Sequence, residues 1–149
     1  MNGIQSITLK DDVTLISPAD IALVSRIFQM ISDAGIDVDM ISQTPPHGSD
    51  PSLSFTVNGD DFGKVLGISA KLRELNPELK LNVSSGNCKI SIFGEEMRGT
   101  PGVAAKVFSA VSKVKADIRM ITTSEVDISL LVVKADADMT VDAIREIFA

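Results

Sequence analysis

Few residues of this chain are of the types that carry catalytic chemistry. His47 is the only histidine and Cys88 the only cysteine among 149 residues. A working imidazole usually needs an orienting partner, and no nucleophile and base constellation surrounds His47, so we interpret it as a solvated loop residue. We interpret Cys88 as a buried structural thiol, because free cysteines are mostly small buried hydrophobes. A glycine-rich phosphate loop is also missing, so the sequence predicts no catalytic site.

Charge and composition argue against several other classes of function. Fourteen Lys and Arg against twenty Asp and Glu give a net charge of −6, which repels nucleic-acid phosphate and anionic lipid. The chain has no Trp or Tyr to stack RNA bases, and one cysteine cannot form a paired-thiolate metal site. No apolar stretch approaches the ~20 residues that span a bilayer. We therefore expect a cytoplasmic protein without metal cofactor, nucleic-acid partner or membrane contact.

The elements that would position any binding site occur twice. Residues 23–42 reappear 80 positions later as residues 103–122. Five identical pairs carry the repeat: Phe28 and Phe108, Ser32 and Ser112, Asp37 and Asp117, Met40 and Met120, and Ile41 and Ile121. One supersecondary unit is thus present in two copies, and function should be sought between the copies.

The first copy is predicted to contain two helices among short strands. Ser17-Pro18 is a helix-start signal, a hydroxyl cap followed by proline, and this helix would end at Gly35. A second helix is expected after Asn58, with positions 62, 65, 66 and 69 on one face. Apolar alternation predicts these strands: 4–9 and 13–16 joined by a turn at 10–12, 36–41 and 53–57 separated by a loop at 44–51, and 79–83.

The second copy follows a boundary predicted at residues 84–87. Its expected elements are a strand at 90–93, a helix from Thr100-Pro101 to Val114, strands at 118–121 and 126–133, and a helix at 140–148. This copy ends one strand short, whereas residues 4–9 have no place in the first copy. We predict that the N-terminal strand completes the second sheet, giving an α+β fold of two interlocked ferredoxin-like βαββαβ sandwiches.

Two segments of the second copy carry a family resemblance. Residues 94–108 (GEEMRGTPGVAAKVF) and 118–129 (IRMITTSEVDIS) resemble the regulatory tail of bacterial aspartate kinases. The family pattern is a Met-Arg-Ser-x-Pro-Gly-Val-Ala-Ala turn and helix, followed by Ile-Ser-Thr-Ser-Glu-Ile-x-Ile-Ser. Residues 38–41 (VDMI) and 53–57 (LSFTV) are similar to the family's first regulatory unit. The resemblance therefore covers essentially the whole chain.

The resemblance implies a pair of ACT domains, which are amino-acid-binding modules, with the first inserted into the second. One domain would be residues 11–84 and the other residues 4–10 plus 85–149. The implied role is feedback control of the aspartate-family pathway to lysine, threonine and methionine, with lysine and/or threonine as effector. No activity is implied without a kinase domain. The implied partners are a second copy of the chain and a catalytic aspartate kinase subunit. The chain is then a small subunit, a free-standing regulator or a segment of a longer enzyme.

The resemblance also implies two groups of effector-binding residues. The backbone N–H groups of Ile21, Ala22 and Leu23, at the start of the first helix, would bind the effector's carboxylate, and Asp20 its ammonium. The other implied positions are Met40, Ile41 and Gln43 on the next strand, and Asp117, Ile118, Ser124 and Glu125 in the second copy of a paired chain.

One departure from the family pattern leaves two hypotheses open. The family's Asp-x-Pro-Gly turn falls on residues 19–22, where Ala19 and Ala22 replace its acid and its glycine. Loss of glycine removes backbone freedom where a ligand must approach closely. The chain is either an amino-acid-sensing regulatory module or a structural dimerisation protein that has lost effector binding. An unrecognised enzyme is disfavoured because no catalytic constellation is present.

The predicted strand exchange can be tested by deletion. Removing Ile4–Leu9 should expose the edge of the second sheet, so hydrogen exchange should accelerate more in residues 90–148 than in residues 13–84. Losses of protection confined to residues 13–84 would contradict the exchange.

Overall fold

The structure, a computed structural model, describes residues 4–18, 24–47, 50–75 and 81–149. Its strands and helices, in chain order, are β1 (Ser6–Pro18), α1 (Val24–Asp33), β2 (Val38–His47), β3 (Asp50–Asn58), α2 (Phe62–Leu75), β4 (Leu81–Phe93), α3 (Val103–Lys113), β5 (Ile118–Thr123), β6 (Asp127–Val133) and α4 (Ala137–Ile147). The chain divides into two compact units. We call Asp12–Ser85 the continuous unit, and Met1–Asp11 with Gly86–Ala149 the split unit.

The continuous unit packs α1 and α2 against a sheet in which β3 lies between β2 and β1. Both strand pairs are antiparallel, with Ile41 opposite Phe55 and Ile16 also opposite Phe55. The helices bury one apolar stripe each against alternate residues of β3. The core residues are Ile27, Ile31, Ile36, Phe55, Val57, Val65 and Leu72. The rings of Phe28 and Phe55 lie 5.2 Å apart between centroids, which fixes α1 over the strand.

The split unit packs α3 and α4 over β4, β6 and β5, in that order across the sheet. Residues 87–93 of β4 pair antiparallel with residues 127–133 of β6, and the residues of one face are buried. The start of the chain belongs to this unit: Ile4 is buried in its core, and the Gln5 N–H donates to the Phe93 carbonyl at 2.8 Å. Its core therefore combines both ends of the sequence, from Ile4 to Phe148.

The predicted turn at residues 10–12 is wrong, because β1 runs through it from Ser6 to Pro18. Lys10-Asp11-Asp12 is polar, but it contains no Gly, Pro or Asn to fix a hairpin turn. The helix start predicted at Ser17-Pro18 is also wrong, since both residues end β1 and α1 begins at Val24. The predicted helix end is confirmed, because Gly35 follows α1 with φ +73°, a conformation that suits glycine.

The boundary predicted at residues 84–87 lies inside one strand, β4, where the chain divides between its two compact units. Gly86 adopts φ +75°, which is in the left-handed region of backbone conformation, and the strand continues on both sides of it. Similarly, the loop predicted at residues 44–51 is largely strand, because β2 extends to His47 and β3 begins at Asp50. Pro45 and Pro46 are tolerated because β2 is the edge strand next to β3.

Three helices differ from the prediction. In α2 different residues are buried, and α3 and α4 begin at different residues. In α2 the buried positions are Val65, Ser69 and Leu72, whereas Leu66 is 47% exposed. Thr100 does not cap α3: its hydroxyl donates to the Glu96 carbonyl at 2.6 Å, and the helix begins after Gly102 at φ +96°. The last helix starts at Ala137, three residues before the predicted start, because a 3₁₀ turn at Lys134–Asp136 leads into it.

The core of the split unit can be tested on one helix. Ile144 is fully buried in α4, whereas Met139 on the same helix is 40% exposed. Ile144→Ala should lower the free energy of unfolding by about 2–5 kcal/mol, because it removes packed methyl groups and leaves a cavity. Met139→Ala is the matched control and should change that free energy by less than about 0.5 kcal/mol. Equal urea midpoints for the two variants would contradict the packing described for α4.

Candidate functional site

The residues that the family resemblance implies as an effector site fall in both units. Some members of the first group lie outside the residues that the structure describes. Asp20, Ile21, Ala22 and Leu23 lie outside the described residues. Gln43 belongs to β2, although its side chain is not among those described. Met40 and Ile41 are the members of this group whose side chains are described, and both lie on β2.

A β-bulge sends Met40 and Ile41 to different environments. The register of β2 against β3 shifts between Val38 and Ile41. Within this bulge the Met40 N–H donates to the buried Thr56 hydroxyl at 3.0 Å. Met40 is 3% exposed, whereas Ile41 is 53% exposed, so the Ile41 side chain lies at the surface and Met40 packs inward.

The split unit repeats this backbone feature 80 positions later. The register of β5 against β6 shifts between Ile118 and Met120, the counterparts of Val38 and Met40. Met120 is 6% exposed and Ile121 is 41% exposed, the same contrast as in the first copy. The internal repeat therefore extends from sequence to the detail of the bulge.

Asp117 and Ile118 lie together at the start of β5. The Asp117 carboxylate is exposed and accepts a hydrogen bond from the Arg119 guanidinium, with 2.9 Å between Nη2 and Oδ2. The Asp117 N–H donates to the Asp136 carboxylate at 2.8 Å, which ties β5 to the turn before α4. Ile118 is half-buried and lines an open hollow of about 580 Å³ with Phe108, Val111, Ser112, Lys115 and Ala116. An acid beside an apolar hollow could bind an ammonium group and an aliphatic chain.

Ser124 and Glu125 lie at the other end of β5, in the turn to β6. The Ser124 N–H donates to the Asp127 carbonyl at 2.9 Å, and the Ser124 hydroxyl accepts from the Val126 N–H at 3.3 Å. Glu125 pairs with Arg98, with 3.0 Å between Oε2 and Nε and both side chains largely exposed. Six strand residues at about 3.3 Å each separate this turn from Asp117, so the two pairs do not share one small-molecule site.

The comparisons with known proteins agree over the length of the chain. Residues 90–148 match the ACT domain family. The chain is 36% identical over 135 residues to the aspartokinase of Thermus thermophilus, covering 88% of this chain and 33% of that protein. Its fold matches the ligand-free regulatory subunit of aspartate kinase from Thermus thermophilus with a TM-score of 0.86 and 29% identity, over 99% of both chains. The chain belongs to the ACT-domain regulatory family of aspartokinases.

A chain in the crystal structure of aspartokinase alpha and beta subunits matches this fold with a TM-score of 0.84 and 26% identity. The match covers 97% of this chain and 98% of that one. The chain spans about a third of the length of the curated aspartokinases it matches. It corresponds to their non-catalytic regulatory part. Among the residues with described positions, no three His, Cys, Asp or Glu are grouped to hold a metal ion. None of the described helices is long and apolar enough to cross a membrane.

Sequence reasoning missed the residues that hydrogen-bond or pair with the predicted site residues. Thr56, Arg119 and Asp136 bind predicted site residues through hydrogen bonds, and Arg98 pairs with Glu125. Arg98 was visible as part of the Met-Arg segment before α3, and Arg119 as the neighbour of Ile118. Thr56 and Asp136 gave no such signal, because their roles depend on strand register and on the packing of a distant turn.

The bulge on β2 gives a test of the geometry around Met40. Thr56→Val keeps the volume of the side chain but removes the acceptor, leaving the Met40 N–H buried without this partner. The free energy of unfolding should fall by about 1–3 kcal/mol, and the Met40 amide should exchange faster. Thr123→Val, at an exposed position of β5, should change stability by less than about 0.5 kcal/mol. A Thr56→Val protein as stable as the control would show that this hydrogen bond does not stabilise the bulge.

Proposed function

We propose that this chain is an amino-acid-binding regulatory module or subunit of aspartate kinase and that it mediates feedback control of aspartate-family biosynthesis. The observation that carries this proposal is the match to a separate regulatory subunit over 99% of both chains. Fold alone would not support a function, since ferredoxin-like sandwiches serve many. Here sequence and fold agree on one family from end to end.

We further propose that the two compact units are two nested ACT domains, with residues 11–84 forming one and residues 4–10 plus 85–149 the other. The division of the chain near Asp11 and Ser85 supports this assignment. Burial of Ile4 among residues of α3 and α4 supports it too, as does the contact of the Gln5 side chain with the Glu95 N–H at 2.7 Å. The match to the ACT domain family at residues 90–148 is direct support for the second domain.

The proposed effector site comprises Asp20–Leu23, Met40, Ile41 and Gln43 from one chain, with Asp117 and Ile118 from the second domain of a paired chain. Ser124 and Glu125, at the other end of β5, are proposed to act in feedback control without touching the same ligand. Exposure of Ile41 and of the Asp117 carboxylate supports ligand contact at these positions. Burial of Met40 limits its proposed role to shaping the strand that carries Gln43. Lysine and threonine are the effectors expected from the family resemblance.

Regulation in this proposal works by linkage. An effector that binds one arrangement of paired modules more tightly shifts a catalytic partner toward its inactive state by the difference in binding free energy. About 1.4 kcal/mol of difference is a tenfold shift. A homodimer and a catalytic kinase subunit are the proposed partners. The structure of aspartokinase alpha and beta subunits supports the proposal of a catalytic partner. The exposed side chains of Ile41 and Ile121, on the edge strands, supply apolar surface for pairing with a second copy.

One sequence observation favours a second candidate function. Ala22 stands where the family has glycine before its first helix, and Ala19 stands where it has an acid. Without these residues the chain would serve as a structural dimerisation subunit that no longer senses an amino acid.

Calorimetric titration with lysine, threonine and methionine separates these two functions. We expect heat of binding for lysine or threonine, and a loss of affinity of up to about tenfold in Gln43→Ala, because one hydrogen bond to the ligand is removed. Thr123→Ala is the matched control, since residue 123 is the counterpart of residue 43 in the repeat. Silence for all three amino acids would favour the structural function.

A further inference from the structure

Helices α3 and α4 of the split unit leave an open apolar groove between them. Its volume is about 300 Å³, and the apolar side chains that line it are Ala110 and Val114 from α3 and Ala143 and Ile147 from α4. Met139, which is 40% exposed, precedes Ala143 by about one helical turn and extends the apolar surface along α4. We call this groove, together with the exposed residues of the two helices, the α3–α4 face.

The charged residues of the α3–α4 face are divided by sign between the two helices. Helix α3 carries two charges, both positive and both exposed, Lys106 and Lys113. They are seven residues apart and therefore lie on one side of the helix. On α4 three exposed acids recur at every fourth position and form one stripe, Asp138, Asp142 and Glu146. Lys113 and Glu146 line the groove from its opposite walls.

These charges have no opposite charge close to them in the part of the chain that the structure describes. None of the five side chains joins an ion pair there. Like charges four residues apart repel each other, so the acidic stripe destabilises α4. Arg145, the base of α4, follows Asp142 by three residues but precedes Glu146 by one, which places it about 100° away from Glu146 around the helix. Cations supplied from outside the chain would relieve this repulsion.

The internal repeat indicates that the fold does not require this separation of charges. The first copy also buries an apolar stripe of each helix against its sheet. Its helix α1 nevertheless carries one base and one acid, Arg26 and Asp33, and its helix α2 carries three bases and one acid. One basic helix beside one acidic helix is therefore a property of the α3–α4 face rather than of the sandwich.

A second copy of the chain is the occupant that this surface fits. In a pair related by a two-fold axis every contact occurs twice, so the surface must be complementary to itself. With the axis along the groove, α3 of each copy lies over α4 of the other, and a basic helix meets an acidic one twice. With the axis across the groove, each helix would lie over its own counterpart, and like charges would oppose the pair.

We propose that the α3–α4 face is an interface between two copies of this chain, separate from the pairing of edge strands proposed above. Lys113 of each copy faces Glu146 of the other, and the two grooves cover each other. Two helices of eleven residues, each about 16 Å long and about 10 Å wide, present a face of about 330 Å². Stable pairs bury about 800 Å² per partner, so this contact is weak and reversible.

The first test is sedimentation of the full chain at several protein and salt concentrations. We expect an association step that weakens at least about tenfold between about 0.05 M and about 0.5 M NaCl, because salt screens charges at a surface. Lys113→Glu and Glu146→Lys should each weaken this step at least about tenfold, since each turns two attractive contacts into two repulsive ones. Lys134→Glu and Glu95→Lys change the net charge equally at exposed positions outside the face, and they should associate as the unaltered chain does.

A mixture of the two variants gives the sharper test. In a pair that contains one Lys113→Glu chain and one Glu146→Lys chain, both contacts again join opposite charges. An equal mixture should therefore associate as strongly as the unaltered chain, although neither variant does so alone. A variant that simply folds poorly would not be rescued by mixing. Equal association of the variants and the controls, or no rescue in the mixture, would overturn the interface.

Amide resonances of the isotope-labelled full chain locate the contact. Dilution should shift residues 104–114 and 138–147, whereas pairing of edge strands would shift residues 38–43 or 118–123. Shifts confined to the edge strands would overturn the α3–α4 interface and leave the edge-strand dimer and the regulatory function standing. Shifts of residues 104–114 and 138–147 that occur only when a catalytic kinase subunit is added would overturn it too, because another partner would then occupy the face. The titration with amino acids tests the regulatory function separately.

Discussion

Two strands, β1 and β4, each lie partly in one compact unit and partly in the other. Most of the structure depends on this constraint. Strand β1 passes from the split unit into the continuous unit at Asp11–Asp12, and β4 passes back at Ser85–Gly86. The two strands are neighbours in the sheet, so the segment of chain that connects them begins and ends on adjacent strands. Because hydrogen bonds hold a strand along its length, β1 and β4 each cross from one unit to the other without an intervening loop. Gly86 supplies the one left-handed residue described in β4, at the point where β4 passes from one unit to the other.

Much of the fold could be predicted from sequence because the hydrophobic pattern is strong and occurs twice. The stripe at Ile27 and Ile31 and the alternation at Phe55 and Val57 both lie in the core as expected. One error came from the polar segment Lys10–Asp12, which the prediction interprets as a turn although β1 continues through it. Polarity reports that side chains are in contact with water or hydrogen-bonded, but it does not report whether a partner strand continues alongside. Long strands that cross between units therefore escape a local prediction.

The candidate site was predictable only in part, and for a similar reason. A family motif identifies positions such as Asp117 and Glu125, but their present partners, Arg119 and Arg98, follow from the conformations of a strand and a turn. The exposure of Ile41 against the burial of Met40 depends on a bulge that exists only in the register with β3. Spacing along the sequence does not encode such contacts.

The core of the split unit joins Ile4 to Val141, Ile144 and Phe148, and this has a consequence for synthesis on the ribosome. Domains generally fold as units while the chain emerges from its N-terminus. The continuous unit has its whole sequence once Ser85 has emerged, whereas the split unit must wait for its last helix. During that interval Ile4 and the part of β1 up to Asp11 have no completed core to join. The side chain of Ile4 therefore stays outside a completed core until α4 has been synthesised, which leaves the start of the chain open to chaperones on the ribosome.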